Sequence, residues 1–147
     1  MKLSTRVRYG TLALVELARA GPTRTLSAGQ IAENRSIPEK YLEQILATLK
    51  AAGLVLSFRG RGGGYTLSKA PSRITLSDVF GVLEGPPALV HCVKDGALCP
   101  ASAACPTRSI WVEMTQALTD IMERTTLQDI VDREKKAVSR ERLTYHI

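Results

Sequence analysis

The residues with the most chemistry in them are Cys92, Cys99 and Cys105, all of the chain's cysteines, spaced C-x6-C-x5-C between His91 and Arg108. Three thiols cannot all pair within one chain. The Gly, Pro, Ala and Asp around them suit a loop better than a helix or strand, so a disulfide framework is a poor reading. Thiolates on a segment that can fold back on itself are the donors an iron-sulfur cluster takes. The spacing is only moderately specific, and three small, half-buried thiols in a connecting loop account for it equally well. Zinc fits less closely, because its structural sites usually contain a C-x2-4-C pair, which this segment lacks.

The elements on either side must position that loop. Upstream, Leu3, Val7, Leu14, Val15 and Ala18 recur at helical spacing within residues 5–20, and Gly21-Pro22 ends the run. Arg6 and Arg8 near its start suit phosphate contact or plain solvation. Leu26 to Ile31 reads as a capped helix start: Ser27 and Gln30 form a capping box, with Leu26 and Ile31 as its apolar staple. That helix ends near Ser36, and Pro38 is placed to open another. Over residues 38–52, Leu42, Ile45, Leu46 and Leu49 make one apolar stripe. Lys40, Tyr41, Glu43 and Gln44 lie off it, and Gly53 supplies the stop.

Two helices joined by a tight turn form a helix-turn-helix pattern, although a helical hairpin with a solvated face has the same signature. In a DNA reader, Gln44 could bond adenine twice and Glu43 could accept from cytosine N4. A short strand to Phe58, the basic turn Arg59-Gly-Arg61-Gly62-Gly-Gly64 and a return strand from Tyr65 to Leu67 then predict a wing. Its arginines suit a minor groove or phosphates, and its glycines, Gly62 at the tip among them, permit close backbone approach. A nucleotide cradle is a poor alternative without G-K-[ST] or a following helix.

Past the break at Pro71, Thr75 and Asp78 form a second capping box for a linking helix that stops before Gly85-Pro86-Pro87. Beyond the cysteines, Ile110, Trp111, Met114, Ala117, Leu118, Ile121 and Met122 line one side of a helix over 109–124, about 24 Å long. So apolar a face calls for a partner, either a second copy or the chain's own first helix. A short helix through Val131 and a frayed, charged tail, with His146 as a surface histidine, are expected to finish the chain. The reading therefore has four parts: a winged helix-turn-helix over 1–70, a linking helix and cysteine loop over 71–107, a dimerisation helix and its short successor over 108–131, and a flexible tail over 132–147.

The net charge of +6 is unevenly spread. Residues 1–70 hold 11 Lys and Arg against 4 Asp and Glu (+7), residues 71–131 hold 4 against 7 (−3), and residues 132–147 hold 5 against 3 (+2). A basic excess confined to one half suits a polyanion-binding module. With no signal-peptide pattern and no run of about 18 apolar residues, no membrane partner is expected. A cytoplasmic location, where thiols stay reduced, is expected instead.

Taken together, YLEQIL at 41–46, AGLVLSFRGRGGGYTLSKAP at 52–71, and three cysteines between a Gly-Pro-Pro break and a Trp-bearing helix closely resemble the winged-helix iron-sulfur and redox-sensing regulators of the IscR-like family, which includes IscR and NsrR. The resemblance covers residues 1–133. It implies a mainly α fold with a small β wing, and a homodimeric, non-enzymatic transcription factor, a repressor or dual regulator, acting on a palindromic operator in double-stranded DNA.

By position, Tyr41, Glu43 and Gln44 match recognition-helix readers, Arg59 the wing arginine, and Cys92, Cys99 and Cys105 ligands of a cluster, with 2Fe-2S slightly ahead of 4Fe-4S. One departure matters. IscR-like proteins place a histidine three residues after the last cysteine, where this chain has Arg108. NsrR-like proteins use an N-terminal acidic residue, where it has Arg8. His91, Asp95, Arg108, a partner-subunit group, or an external thiol or water stay open as fourth ligand, with Arg108 the poorest because it remains protonated. Two rival readings are a cluster-free regulator sensing through thiol oxidation, and a thiol enzyme or small-molecule binder. The last has no C-x-x-C pair or cysteine-histidine constellation behind it.

Overall fold

The structure, a computed structural model, describes residues 3–144. Seven α-helices and one β-hairpin follow in the order α1 (Thr5–Ala20), α2 (Ala28–Arg35), α3 (Glu39–Ala51), β1 (Val55–Phe58), β2 (Gly64–Leu67), α4 (Leu76–Leu83), α5 (His91–Lys94), α6 (Arg108–Arg124) and α7 (Leu127–Thr144). The architecture is mainly helical with a two-stranded antiparallel sheet.

α1 is the hub. It packs against α2, α3, α4, α7 and β2, which buries Val7, Ala13, Leu14, Val15 and Leu17 at once. Gly10 allows α4 to lie close, since a β-carbon there would collide with Leu83. The stripe anticipated on α3 is buried in full: Leu42, Ile45, Leu46 and Leu49 are each at most 1% exposed.

Local chemistry sets the joints. The α2 capping box is made as expected, with Gln30 N–H donating to Ser27 Oγ and Ser27 N–H donating to Gln30 Oε1. α2 closes on Ser36 in the left-handed region, φ 52°, and the buried Ile37 anchors the turn before Pro38, which caps rather than opens α3. Thr75 and Asp78 form the second capping box.

The wing strands pair in the register Val55↔Leu67 to Phe58↔Gly64. The hairpin has a third member that sequence pattern did not suggest. Tyr65 exchanges both backbone hydrogen bonds with Leu26, at 2.7 and 3.0 Å, and the Thr25 hydroxyl donates to the Gly62 carbonyl at 2.6 Å. The wing is thereby tied to the start of α2. Gly64 (φ 143°) is required there, because a β-carbon would stand 2.6 Å from the Leu26 carbonyl oxygen.

Two expectations are corrected. The last helix does not stop near Val131 but continues to Thr144, so the tail expected to fray is helical as far as it is described, and His146 lies outside the described residues. α7 is held to the head of the molecule by the buried Leu127 and Val131 and by Glu134, which receives Arg35 of α2. In addition, the cysteine segment is not wholly loop, since Cys92 sits on the single turn α5 and Gly96–Leu98 form a 3-10 turn.

Candidate nucleic-acid interface and cysteine loop

With one face of α3 buried, the other is left to solvent. Lys40, Glu43, Gln44 and Ala47 are exposed along it at spacings of three and four residues, so they form one strip on the helix surface. Tyr41 stands at the strip's edge, half-buried, with its ring 5.9 Å from that of Tyr9 in an edge-to-face contact. Ala47 was not singled out from sequence. Its small side chain carries no polar signal, yet the register of the strip includes it, and an alanine there suits a thymine methyl.

The wing presents Arg59, Arg61 and Gly62 at its exposed tip, where Gly60 (φ 91°) and Gly62 (φ 76°) make the turn. Among the described residues, neither wing arginine has a carboxylate within ion-pair distance. Their charge is therefore free to meet an external anion.

A charge network holds the head together from behind. Arg35 at the end of α2 reaches Glu16 of α1 (Nε to Oε2, 2.7 Å) and Glu134 of α7 (Nη1 to Oε1, 2.7 Å). Asn34 donates to the other oxygen of Glu16 at 2.9 Å, and Arg19 flanks both carboxylates. Burial opposes the Arg35 charge, but hydrogen bonds to Glu134 and Glu16 outweigh it and push its pKa up. The bond from Arg35 holds the Glu134 carboxyl below the usual glutamate range. Sequence reading missed this network because its members lie on three separated helices and have no common spacing.

In the cysteine loop, Cys92, Cys99 and Cys105 are all free and half-buried. Cys92 lies on α5, Cys99 follows the 3-10 turn, and Cys105 precedes α6. The Thr107 hydroxyl, 3.4 Å from Cys105 Sγ, holds that thiol below its ordinary value, helped by backbone N–H groups of Thr107 and Arg108 and opposed by slight burial.

The fourth-ligand candidates fare unequally. His91 is exposed and adjacent to Cys92 on one helical turn, a spacing whose side chains diverge. Asp95 already caps the 3-10 turn, with Oδ1 accepting from Ala97 N–H at 2.9 Å. Arg108 crosses the loop, its Nε donating to the Cys92 carbonyl at 3.3 Å. Among the described residues, no three of His, Cys, Asp and Glu come together in a group that could hold a metal ion. As arranged, the loop offers three free thiols, and Arg108, at the position where the IscR-like pattern has a histidine, spans it as a cation.

Downstream, α6 packs on α4 and α5 rather than chiefly on α1. Its apolar residues divide between two sides. Met122 is buried and Trp111 and Leu118 are half-buried, whereas Ile110, Met114, Ala117 and Ile121 are exposed at i, i+4, i+7 and i+11. That second stripe has no cover within the described chain. Among the described residues, no helix is long and apolar enough to cross a membrane.

Comparison with known proteins agrees with this geometry. Residues 3–133 match the model of the Rrf2 family, described as iron-dependent transcriptional regulators. The chain is 38% identical over 130 residues to the HTH-type transcriptional regulator CymR of Bacillus subtilis, covering 88% of this chain and 89% of that one. It superposes on the solved structure of B. subtilis CymR, the global cysteine regulator, with a TM-score of 0.77 and 35% identity over 90% of this chain and 98% of that one. T. potens IscR gives a TM-score of 0.77 with 32% identity, covering 93% and 90% of the two chains.

Proposed function

The chain belongs to the Rrf2 family of transcriptional regulators, a non-enzymatic class of DNA-binding proteins, and on that premise we propose that it is a homodimeric repressor. It acts in the cytoplasm on a palindromic operator and is controlled through its cysteine loop. The observation that carries the reading is the strip Lys40, Glu43, Gln44 on a helix whose other face is wholly buried, beside a wing that offers two arginines without carboxylate partners. In each subunit Gln44 and Glu43 read base edges in the major groove, and Tyr41 borders them. Lys40, Arg59, Arg61 and the Gly62 backbone take phosphates or the minor groove. Phosphate contacts supply most of the salt-sensitive affinity.

The stripe Ile110, Met114, Ala117, Ile121 supports pairing with a second copy of α6. α5 touches α6, α6 touches α4, and α4 touches both α1 and α3, so rearrangement of the loop has a packed route to the reading helix. A coupling of about 1–3 kcal/mol between loop and reader changes DNA affinity by about 5- to 150-fold. Titration of operator DNA with Arg59→Ala tests the interface. Weaker binding with a shallower salt dependence is expected, and unchanged affinity and slope would remove the wing from the interface.

The signal at Cys92, Cys99 and Cys105 has two supported chemistries. An iron-sulfur cluster, 2Fe-2S before 4Fe-4S, is supported by the three thiols and by the family's description as iron-dependent, and it requires the loop to close and a fourth donor from outside the set. Direct thiol oxidation is supported by the Arg108 bridge, by the lowered Cys105 pKa and by the similarity to a cysteine regulator. Anaerobic purification with iron and acid-labile sulfide quantitation, plus absorption and Mössbauer spectra, decides between them. Stoichiometric iron and sulfide support the first, and colourless protein that still responds to oxidants supports the second.

A further inference from the structure

The arginines of the reading head differ in what holds them. Arg19 and Arg35 are taken up by Glu16 and Glu134. Arg6 has no carboxylate within ion-pair distance among the described residues, yet it is held in place: its Nη2 donates to the Thr48 hydroxyl of α3 at 3.0 Å, across 42 positions of sequence. Thr48 in turn donates to the Gln44 carbonyl at 3.1 Å, one helical turn back. A guanidinium has five N–H donors, and one hydroxyl oxygen satisfies few of them. A full positive charge thus stands half-buried against the flank of α3, next to the strip that includes Gln44, oriented before any ligand arrives. Wing arginines lack such a hold, since among the described residues no side-chain hydrogen bond fixes Arg59 or Arg61.

We infer that Arg6 is a DNA-backbone anchor: fixed by Thr48, its guanidinium takes a phosphodiester oxygen beside the recognition helix, adding a grip on α1 to the one on the wing. The inference rests on the DNA-binding reading above and assigns it a further residue. The chemistry suits the ligand, because guanidinium donors match phosphate oxygens, and a side chain ordered in advance loses less freedom on binding. A phosphate carries no base identity, so the contribution of Arg6 is the same for every sequence.

That property allows a test without knowledge of the operator. The full chain is titrated with a random-sequence duplex of about 30 base pairs over a series of salt concentrations, and the slope of log affinity against log salt is read. For Arg6→Gln, which keeps a hydrogen-bond donor but no charge, the slope should fall by about 0.9 for each Arg6 in contact, and Arg6→Lys should restore it. Thr48→Val keeps the charge and removes its hold, so the slope should stay and the affinity fall by about 2- to 10-fold. A wild-type slope in Arg6→Gln overturns the anchor even where affinity drops, because counterion release does not follow from a folding defect. Unchanged affinity in Thr48→Val overturns the positioning by Thr48. Failure of the wild-type chain to bind any duplex overturns the DNA-binding reading itself.

Discussion

Arg108 stands three residues after Cys105, where the IscR-like pattern has a histidine. It bonds the Cys92 carbonyl across the segment, so a permanent cation ties the two ends of the cysteine loop together. Replacing it by histidine removes a permanent cation and supplies a neutral imidazole donor. Arg108→His is expected to retain more iron per chain than wild type after anaerobic reconstitution, measured by iron and sulfide content. Equal iron in the two proteins would show that Arg108 is not what limits the site. Serine at all three cysteine positions should leave operator binding intact and abolish its response to oxidant or iron supply, checked by promoter occupancy with and without the stress.

At the scale of elements, the joint between α1, α2 and α7 depends on buried charge. Arg35 and Glu16 side chains are 12% and 10% exposed. Breaking a buried pair costs about 3–5 kcal/mol where the other charge is left alone, and loss of Arg35 leaves Glu16 only Asn34 and the half-exposed Arg19. Arg35→Ala should therefore unfold at distinctly lower denaturant concentration, whereas Glu134→Gln, from a more exposed site and with Glu16 still facing Arg35, should lose much less. Glu134 also gives the joint a pH dependence. Its folded pKa is depressed, so its contribution is present above the unfolded glutamate value and is lost as pH falls through the lower folded value. Acid titration of thermal stability in wild type and Glu134→Gln should show the two curves converging toward low pH.

For the whole molecule, the unanswered surface is the α6 stripe. Ile110, Met114 and Ile121 are 51%, 49% and 46% exposed, more apolar area on one helix face than a chain of this size readily leaves to water. Paired α6 helices would cover it and set the spacing of two reading heads. Ile121→Glu places a charge in that seam. The variant should sediment as a monomer and bind operator more weakly than wild type, while its far-UV circular dichroism is unchanged. A monomeric wild type would remove the premise.

Much of this was legible in the chain itself, for a physical reason: caps, turns and stripes are local. Ser27 with Gln30, Thr75 with Asp78, the α3 stripe and the glycine turn of the wing each need only neighbours within a few residues, and each formed as its pattern implied. Contacts between distant side chains were not legible. Nothing in the spacing of Glu16, Arg35 and Glu134 announces that they meet, and nothing in the charged run over 132–144 marked it as a continuation of the last helix. The same holds for Leu26 against Tyr65, for Arg6 against Thr48, and for the arginine that crosses the cysteine loop. Sequence determined the reading helices, the wing and which faces are apolar, because these rest on neighbouring residues; only the folded chain decided how far the last helix runs, which charges are neutralised inside it and which stay available to a partner.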